Sequence, residues 1–169
     1  KEKVRSWYLD ATMLASYWGE ERVYHHTAPI NMTYALYEAL RVIHEEGLEN
    51  CFKRHLDTHR ALKAGLETLG IDYNADPNHQ LPMLNAVKIP EGIDDSAVRS
   101  ALLNEFGIEI GGGLGAFKGK VWRIGLMGYA ARKENVVLFL SALEELLKRH
   151  NYQLEPGAAV DAANSIFQT

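Results

Sequence analysis

One arginine poses the chemical question in this sequence. Arg123 stands in the run Val121-Trp122-Arg123-Ile124-Gly125-Leu126-Met127-Gly128, a β-type pattern with apolar neighbours on both sides. A guanidinium keeps its proton and needs a partner wherever it is withdrawn from water. Such an arginine either meets a protein carboxylate or awaits an anionic ligand; snorkelling to solvent is the plain alternative. Upstream lie the alternating pair Ile108 and Ile110 and then Gly111-Gly112-Gly113-Leu114-Gly115, which reads as a glycine-rich turn between two strands. These glycines do not suit a dinucleotide loop, because a strand and not a helix follows them.

Two further sets of polar side chains have chemical potential. Tyr24, His25, His26 and Thr27 fill a polar loop just before Pro29 opens a helix. Hydroxyls at a helix start can clamp a phosphate or another anion, since the backbone N–H groups and the helix dipole point the same way. The bland reading is that Thr27 only caps the helix and that the adjacent histidine side chains diverge and share no metal. His55 and His59 are four apart on one helical face, the spacing of a zinc-binding helix, but no glutamate follows His55 as in the metalloprotease motif, so both read as structural. Cys51 is the single cysteine, which rules out a disulfide or a cysteine-based zinc site within the chain and fits a reducing compartment.

The elements that must position these groups follow from periodicity. Asp10 precedes a short amphipathic helix, and the aromatics Trp7, Tyr8, Tyr17 and Trp18 around it read as core material or as a face for another domain or subunit. Helical spacing runs from Pro29 to Gly70 with a junction at Gly47. A strand is expected over Met83 to Ile89, then a helix capped by Asp94 or Asp95, the strand pair around the glycines, and a helix from Lys133 to His150 with an exposed Glu144–Lys148 pair. This order gives an α+β fold: a long helical lead-in followed by an antiparallel sheet covered by helices. The end of the chain, 151–169, reads as a loosely attached tail.

Composition narrows the function classes. The 169 residues are 47% hydrophobic and 24% charged with a net charge of −4, ordinary globular material with no concentrated basic face for nucleic acid or anionic membrane. No apolar run is long enough to cross a bilayer. The opening Lys1-Glu2-Lys3-Val4-Arg5-Ser6 has neither an initiator methionine nor the h-region of a signal peptide and reads as the start of an internal fragment. The end, Ile166-Phe167-Gln168-Thr169, is not a peroxisomal address of the Ser-Lys-Leu type, and cytoplasm is the default expectation.

Taken together, Tyr24-His25-His26-Thr27-Ala28-Pro29, Gly47-Leu48-Glu49-Asn50, Gly111-Gly112-Gly113-Leu114-Gly115 and the run Gly119 to Gly128 closely resemble the alanine–glyoxylate / serine–pyruvate aminotransferases. These are class V, fold-type-I enzymes that depend on pyridoxal 5'-phosphate. The resemblance runs in order from about Trp7 through His150 and leaves out the tail. It implies that Arg123 grips the substrate α-carboxylate, a task that suits the bidentate fork of arginine. It implies that the Tyr24 and Thr27 hydroxyls reach the cofactor phosphate of the neighbouring subunit, so that a homodimer shares its active sites, and that the glycines of 111–115 turn close to the substrate entrance. The family's Schiff-base lysine and its cofactor-pairing aspartate lie upstream of the matched region, so the chain corresponds to the carboxy-terminal part: 1–46 as the end of the large cofactor domain with the phosphate-contact loop and a linking helix, 47–150 as the small α+β domain. Of the lysines present, Lys53, Lys63, Lys133 and Lys148 fall on helical, exposed stretches. The implied reaction moves an amino group from alanine or serine to glyoxylate or pyruvate. The alternative is a non-catalytic α/β module that binds a carboxylate or a protein partner. Desulfurases or lyases of the same class keep a comparable small domain, but the Tyr-His-His-Thr run speaks against them.

Overall fold

The computed structural model describes residues 4–168 and divides the chain between Glu45 and Glu46 into two units. In the first, Asp10 is buried and its carboxylate accepts the backbone N–H of Thr12 at 2.9 Å, which starts helix α1 (Ala11–Trp18). Pro29 precedes α2 (Ile30–Glu46). Neither helix buries a single residue, and Trp7, Trp18, Met32, Tyr34, Leu36, Tyr37 and Leu40 are all exposed. The aromatic opening therefore forms no core of its own. Its apolar surface is of the kind that belongs against another protein surface.

The second unit starts at Glu46, just before the junction glycine. Gly47 has φ 83°, which any other residue would reach only under strain, and α3 (Leu48–Thr68) follows. Then come β1 (Leu84–Lys88), α4 (Asp95–Phe106), β2 (Gly111–Gly112), β3 (Val121–Gly125), α5 (Lys133–Arg149) and α6 (Ala158–Phe167). The sheet is antiparallel in the order β1-β3-β2, with Val87 opposite Trp122, Asn85 opposite Ile124, and Gly112 opposite Trp122. Alternation puts Val87, Trp122 and Ile124 on one face, and they join Leu62, Leu66, Leu140, Leu143 and Leu147 of the helices in one core. Helices thus cover one face of an antiparallel sheet, the α+β arrangement expected from the element order.

Three local expectations are corrected. The strand beside the glycines does not lie on Ile108 and Ile110 but on Gly111 and Gly112 themselves, and the turn begins at Gly113. A Cβ on Gly113 would stand 2.0 Å from the Phe117 carbonyl oxygen, so the chain can fold back here only without a side chain. Glu144 is not an exposed partner of Lys148: it is buried, and its carboxylate accepts the N–H groups of Gly157 at 2.8 Å and Ala159 at 2.9 Å. Those bonds fasten the start of α6, so the residues read as a loose tail form a docked helix. Ala159 and Ala163 are fully buried, and a Cβ on Gly65 of α3 would lie 2.9 Å from the Ala159 carbonyl oxygen, which shows how closely the two backbones approach.

Candidate functional site

Arg123 sits at the centre of β3, opposite Gly111 on one side and Ala86 on the other. Strand alternation points it away from the Trp122 and Ile124 face, and it is half-buried. Its Nε donates to the carbonyl of Gly112 at 2.7 Å. Among the described residues no carboxylate pairs with it, and that carbonyl is its one hydrogen-bond acceptor. With Nε fixed, the two terminal nitrogens project together as a pair of parallel donors, the geometry that receives a carboxylate with two hydrogen bonds.

The two glycines of β2 make this orientation possible. A Cβ on Gly111 would lie 3.0 Å from Arg123 Nη2 and 3.3 Å from its Cζ, so the guanidinium rests against bare backbone. On the opposite face a Cβ on Gly112 would lie 3.4 Å from Arg99 Cζ. β2 is therefore a strand two residues long with a guanidinium on each side. Arg99 is in turn held by Asp95, whose Oδ1 accepts Arg99 Nε at 2.7 Å and the buried indole Nε1 of Trp122 at 3.0 Å. The Arg99 hydrogen bonds hold the Asp95 carboxyl below the usual carboxylate value.

Beyond the strand, the turn Gly128–Ala131 is tied to α3. Arg54 donates to the carbonyls of Gly128 at 2.7 Å and Ala131 at 3.0 Å while its other edge grips Glu46 at 2.5 and 2.8 Å, and the Arg54 hydrogen bonds lower the Glu46 pKa. His55 Nδ1 lies 2.7 Å from the Cys51 carbonyl and so carries the hydrogen, which leaves Nε2 to accept the N–H of Gly128 at 3.0 Å. His59 lies against Asn85 at 2.6 Å, with Tyr73 donating to the same Asn85 oxygen at 2.9 Å; burial pushes the His59 pKa down and the Tyr73 pKa up. Both histidines thus hydrogen-bond to groups of this chain. No group of three or more possible metal ligands occurs among the described residues.

The other predicted residues lie in the first unit. Tyr24 and Thr27 are brought together, hydroxyl to hydroxyl at 2.9 Å, and both are exposed. Their neighbours depart from expectation: the His25 and His26 side chains converge, with their Nδ1 atoms 2.8 Å apart. His25 Nε2 donates to the Trp7 carbonyl at 3.0 Å, and the Trp7 ring stacks on His25 at 4.0 Å. This packing fixes the backbone from which Tyr24 and Thr27 project. A surface pair of hydroxyls that can each donate or accept fits the oxygens of a phosphate.

No protein-family model matches the chain. Individual proteins do. The chain is 44% identical over 152 residues to an alanine–glyoxylate aminotransferase of Callithrix jacchus, covering 88% of this chain and 37% of that protein. It superposes on the crystal structure of ureidoglycine–glyoxylate aminotransferase from Bacillus subtilis with a TM-score of 0.93 at 45% identity, over 98% of this chain and 43% of that one. For an alanine–glyoxylate aminotransferase from Nostoc sp. the TM-score is 0.82 at 53% identity, over 87% and 39%. The chain belongs to the class V aminotransferases. It corresponds to their carboxy-terminal part and spans about two-fifths of the length of the relatives it matches.

As the carboxy-terminal part of a class V aminotransferase, the chain shows what its sequence signals left out. Arg123 was visible as a cation among apolar residues, but the side chains on the other face of its neighbouring strand were not. Asp95 was one of two candidate helix caps and Arg99 carried no signal of its own, and only the register of Gly112 against Trp122 brings them to one place. Four-residue spacing of an aspartate and an arginine was the one available signal, and it is common on helix surfaces.

Proposed function

We propose that the full-length protein transfers the amino group of a small amino acid, alanine or serine, to glyoxylate or pyruvate with pyridoxal 5'-phosphate as cofactor. Arg123 binds the substrate carboxylate. The observation that carries this reading is its geometry: one edge of the guanidinium is committed to Gly112 and two donors remain without a carboxylate of this chain. Every donor and acceptor in question carries one α-carboxylate, so a fixed two-pronged donor orients them all in the same way relative to the reacting carbon. The relatives' names support the acceptor more firmly than the donor: glyoxylate recurs, whereas the amino donor is alanine in one and ureidoglycine in another.

The Tyr24 and Thr27 hydroxyls, already paired, contact the phosphate of the cofactor bound by the neighbouring subunit, which makes the catalytic unit a homodimer. The uncovered apolar surface of α1 and α2 favours this arrangement. The cofactor supplies the electron-withdrawing ring on which the amino group is carried between substrates. The lysine that anchors it is assigned to the remaining part of the longer protein, and three of the lysines here have partners of their own: Lys53 pairs with Asp57, Lys63 bonds Gln80 at 3.1 Å, and Lys133 lies 5.5 Å from the centre of the Phe167 ring.

Replacing Arg123 with Ala in the full-length enzyme tests the assignment. The KM for glyoxylate is expected to rise roughly a hundredfold while the absorbance of the bound cofactor persists, because the lost interaction is a charge-assisted pair to substrate alone. An unchanged KM removes Arg123 from the site. Failure of the full-length protein to use any amino donor would favour the non-catalytic carboxylate-binding module.

A further inference from the structure

We propose that Asp95 and Arg99 are positioning residues for Arg123, acting through the two-glycine strand β2. The inference rests on the reading of Arg123 as the carboxylate grip and concerns what aims it. Arg123 takes its direction from the Gly112 carbonyl, 2.7 Å from its Nε. That carbonyl belongs to an edge strand of two residues, both glycine, with more backbone freedom to lose than any other sequence and no side chain to anchor it.

Besides its pairing to β3, β2 is contacted by Arg99. Its guanidinium lies over Gly112 on the face opposite to Arg123, close enough that a Cβ there would touch Cζ and Nε at 3.4 Å. Arg99 is fixed by two bonds to Asp95, at 2.7 and 3.2 Å. The same Asp95 oxygen accepts the indole of Trp122, the residue directly across the ladder from Gly112. One carboxylate on the first residue of α4 thus sets both members of the Gly112–Trp122 pair, Trp122 directly and Gly112 through Arg99. An ordinary i,i+4 surface pair would contribute little and leave the strand unaffected. Here the carboxylate is shared with a fully buried tryptophan, and the guanidinium is spread on backbone.

The test uses the full-length enzyme carrying Arg99→Ala, Asp95→Asn, Arg123→Ala and the double variant Arg99→Ala/Arg123→Ala, with KM for glyoxylate and kcat measured separately. Arg99→Ala and Asp95→Asn are each expected to raise KM roughly three- to tenfold with a smaller change in kcat and unchanged cofactor absorbance. Asp95→Asn keeps an acceptor for Trp122 and so spares the core. In the Arg123→Ala background Arg99→Ala should add nothing, since its effect passes through the missing guanidinium. A merely structural role would give effects that multiply in the double variant, and that result overturns the inference. So does an unchanged KM in both single variants while Arg123→Ala raises it, in which case the carboxylate role of Arg123 stands. If Arg123→Ala itself leaves KM unchanged, that role falls and this inference with it.

Discussion

Arg123 and the Tyr24–Thr27 pair differ in what keeps them in place. Arg123 is aimed by its own unit: a glycine strand beneath it, a carbonyl on its Nε, and a fully buried tryptophan beside it in β3 that joins a helical core. Tyr24 and Thr27 hold each other on a loop ordered by the Trp7–His25 stack, next to helices that bury nothing. One group is prepared by local packing; the other, on the proposed reading, is completed by a neighbouring subunit. A substrate-orienting donor must be rigid before the substrate arrives, whereas a phosphate clamp shared between subunits can be completed by assembly.

That contrast is broken most severely at Gly113. The Cβ of a Gly113→Ala variant would overlap the Phe117 carbonyl oxygen, and backbone cannot yield as a side-chain tip would. A destabilisation of about 3 kcal/mol is expected in urea denaturation. With it the return from β2 to β3 is lost, and Arg123 should become as loosely held as the Tyr24 loop.

Glu144→Ala comes next. It leaves the N–H groups of Gly157 and Ala159 without their buried acceptor and loosens α6 from α3, at a cost of about 2 kcal/mol in the same measurement. Helix 158–167 should lose protection from hydrogen exchange before the sheet does.

These two cases show what could be read from the sequence and what could not. The lead-in helices, the Asp10 cap, a cap at Asp94 or Asp95 (Asp94 in the structure) and the strand around Arg123 were legible because each rests on local spacing or local hydrogen bonding. The β2 position was not, since Ile108 and Ile110 carry the alternating pattern and the glycines carry none. Glu144 misled for a similar reason: i,i+4 spacing offered Lys148, and the true partners are backbone groups thirteen and fifteen residues away. The Asp95–Arg99–Trp122 cluster needed a register between strands, which periodicity alone does not fix.

A pH titration sharpens the comparison at smaller amplitude. Burial depresses the folded-state pKa of His59, so the folded form binds its proton less readily than the unfolded chain. The associated stability is present in full above the ordinary histidine value near 6.5 and is lost as pH falls through the lowered pKa of the folded state. A His59→Gln variant should show a flatter decline between neutral and mildly acidic pH. An unaltered decline would place the acid sensitivity outside the His59–Asn85–Tyr73 cluster.

The smallest effect should come from the first unit. Tyr37 of α2 is 69% exposed, so Tyr37→Ser removes almost no packing within this chain and should change its denaturation midpoint by less than about 0.5 kcal/mol. In the full-length protein the same substitution should cost more, on the order of 1–2 kcal/mol, and should weaken dimerisation, because the ring would there be packed against a neighbouring surface. Equal small effects in both would mean that α2 stays solvated in the complete protein. The Tyr24 and Thr27 hydroxyls would then lose the supporting wall that the shared-site reading requires, while the case for Arg123, which depends on its own unit alone, would be unaffected.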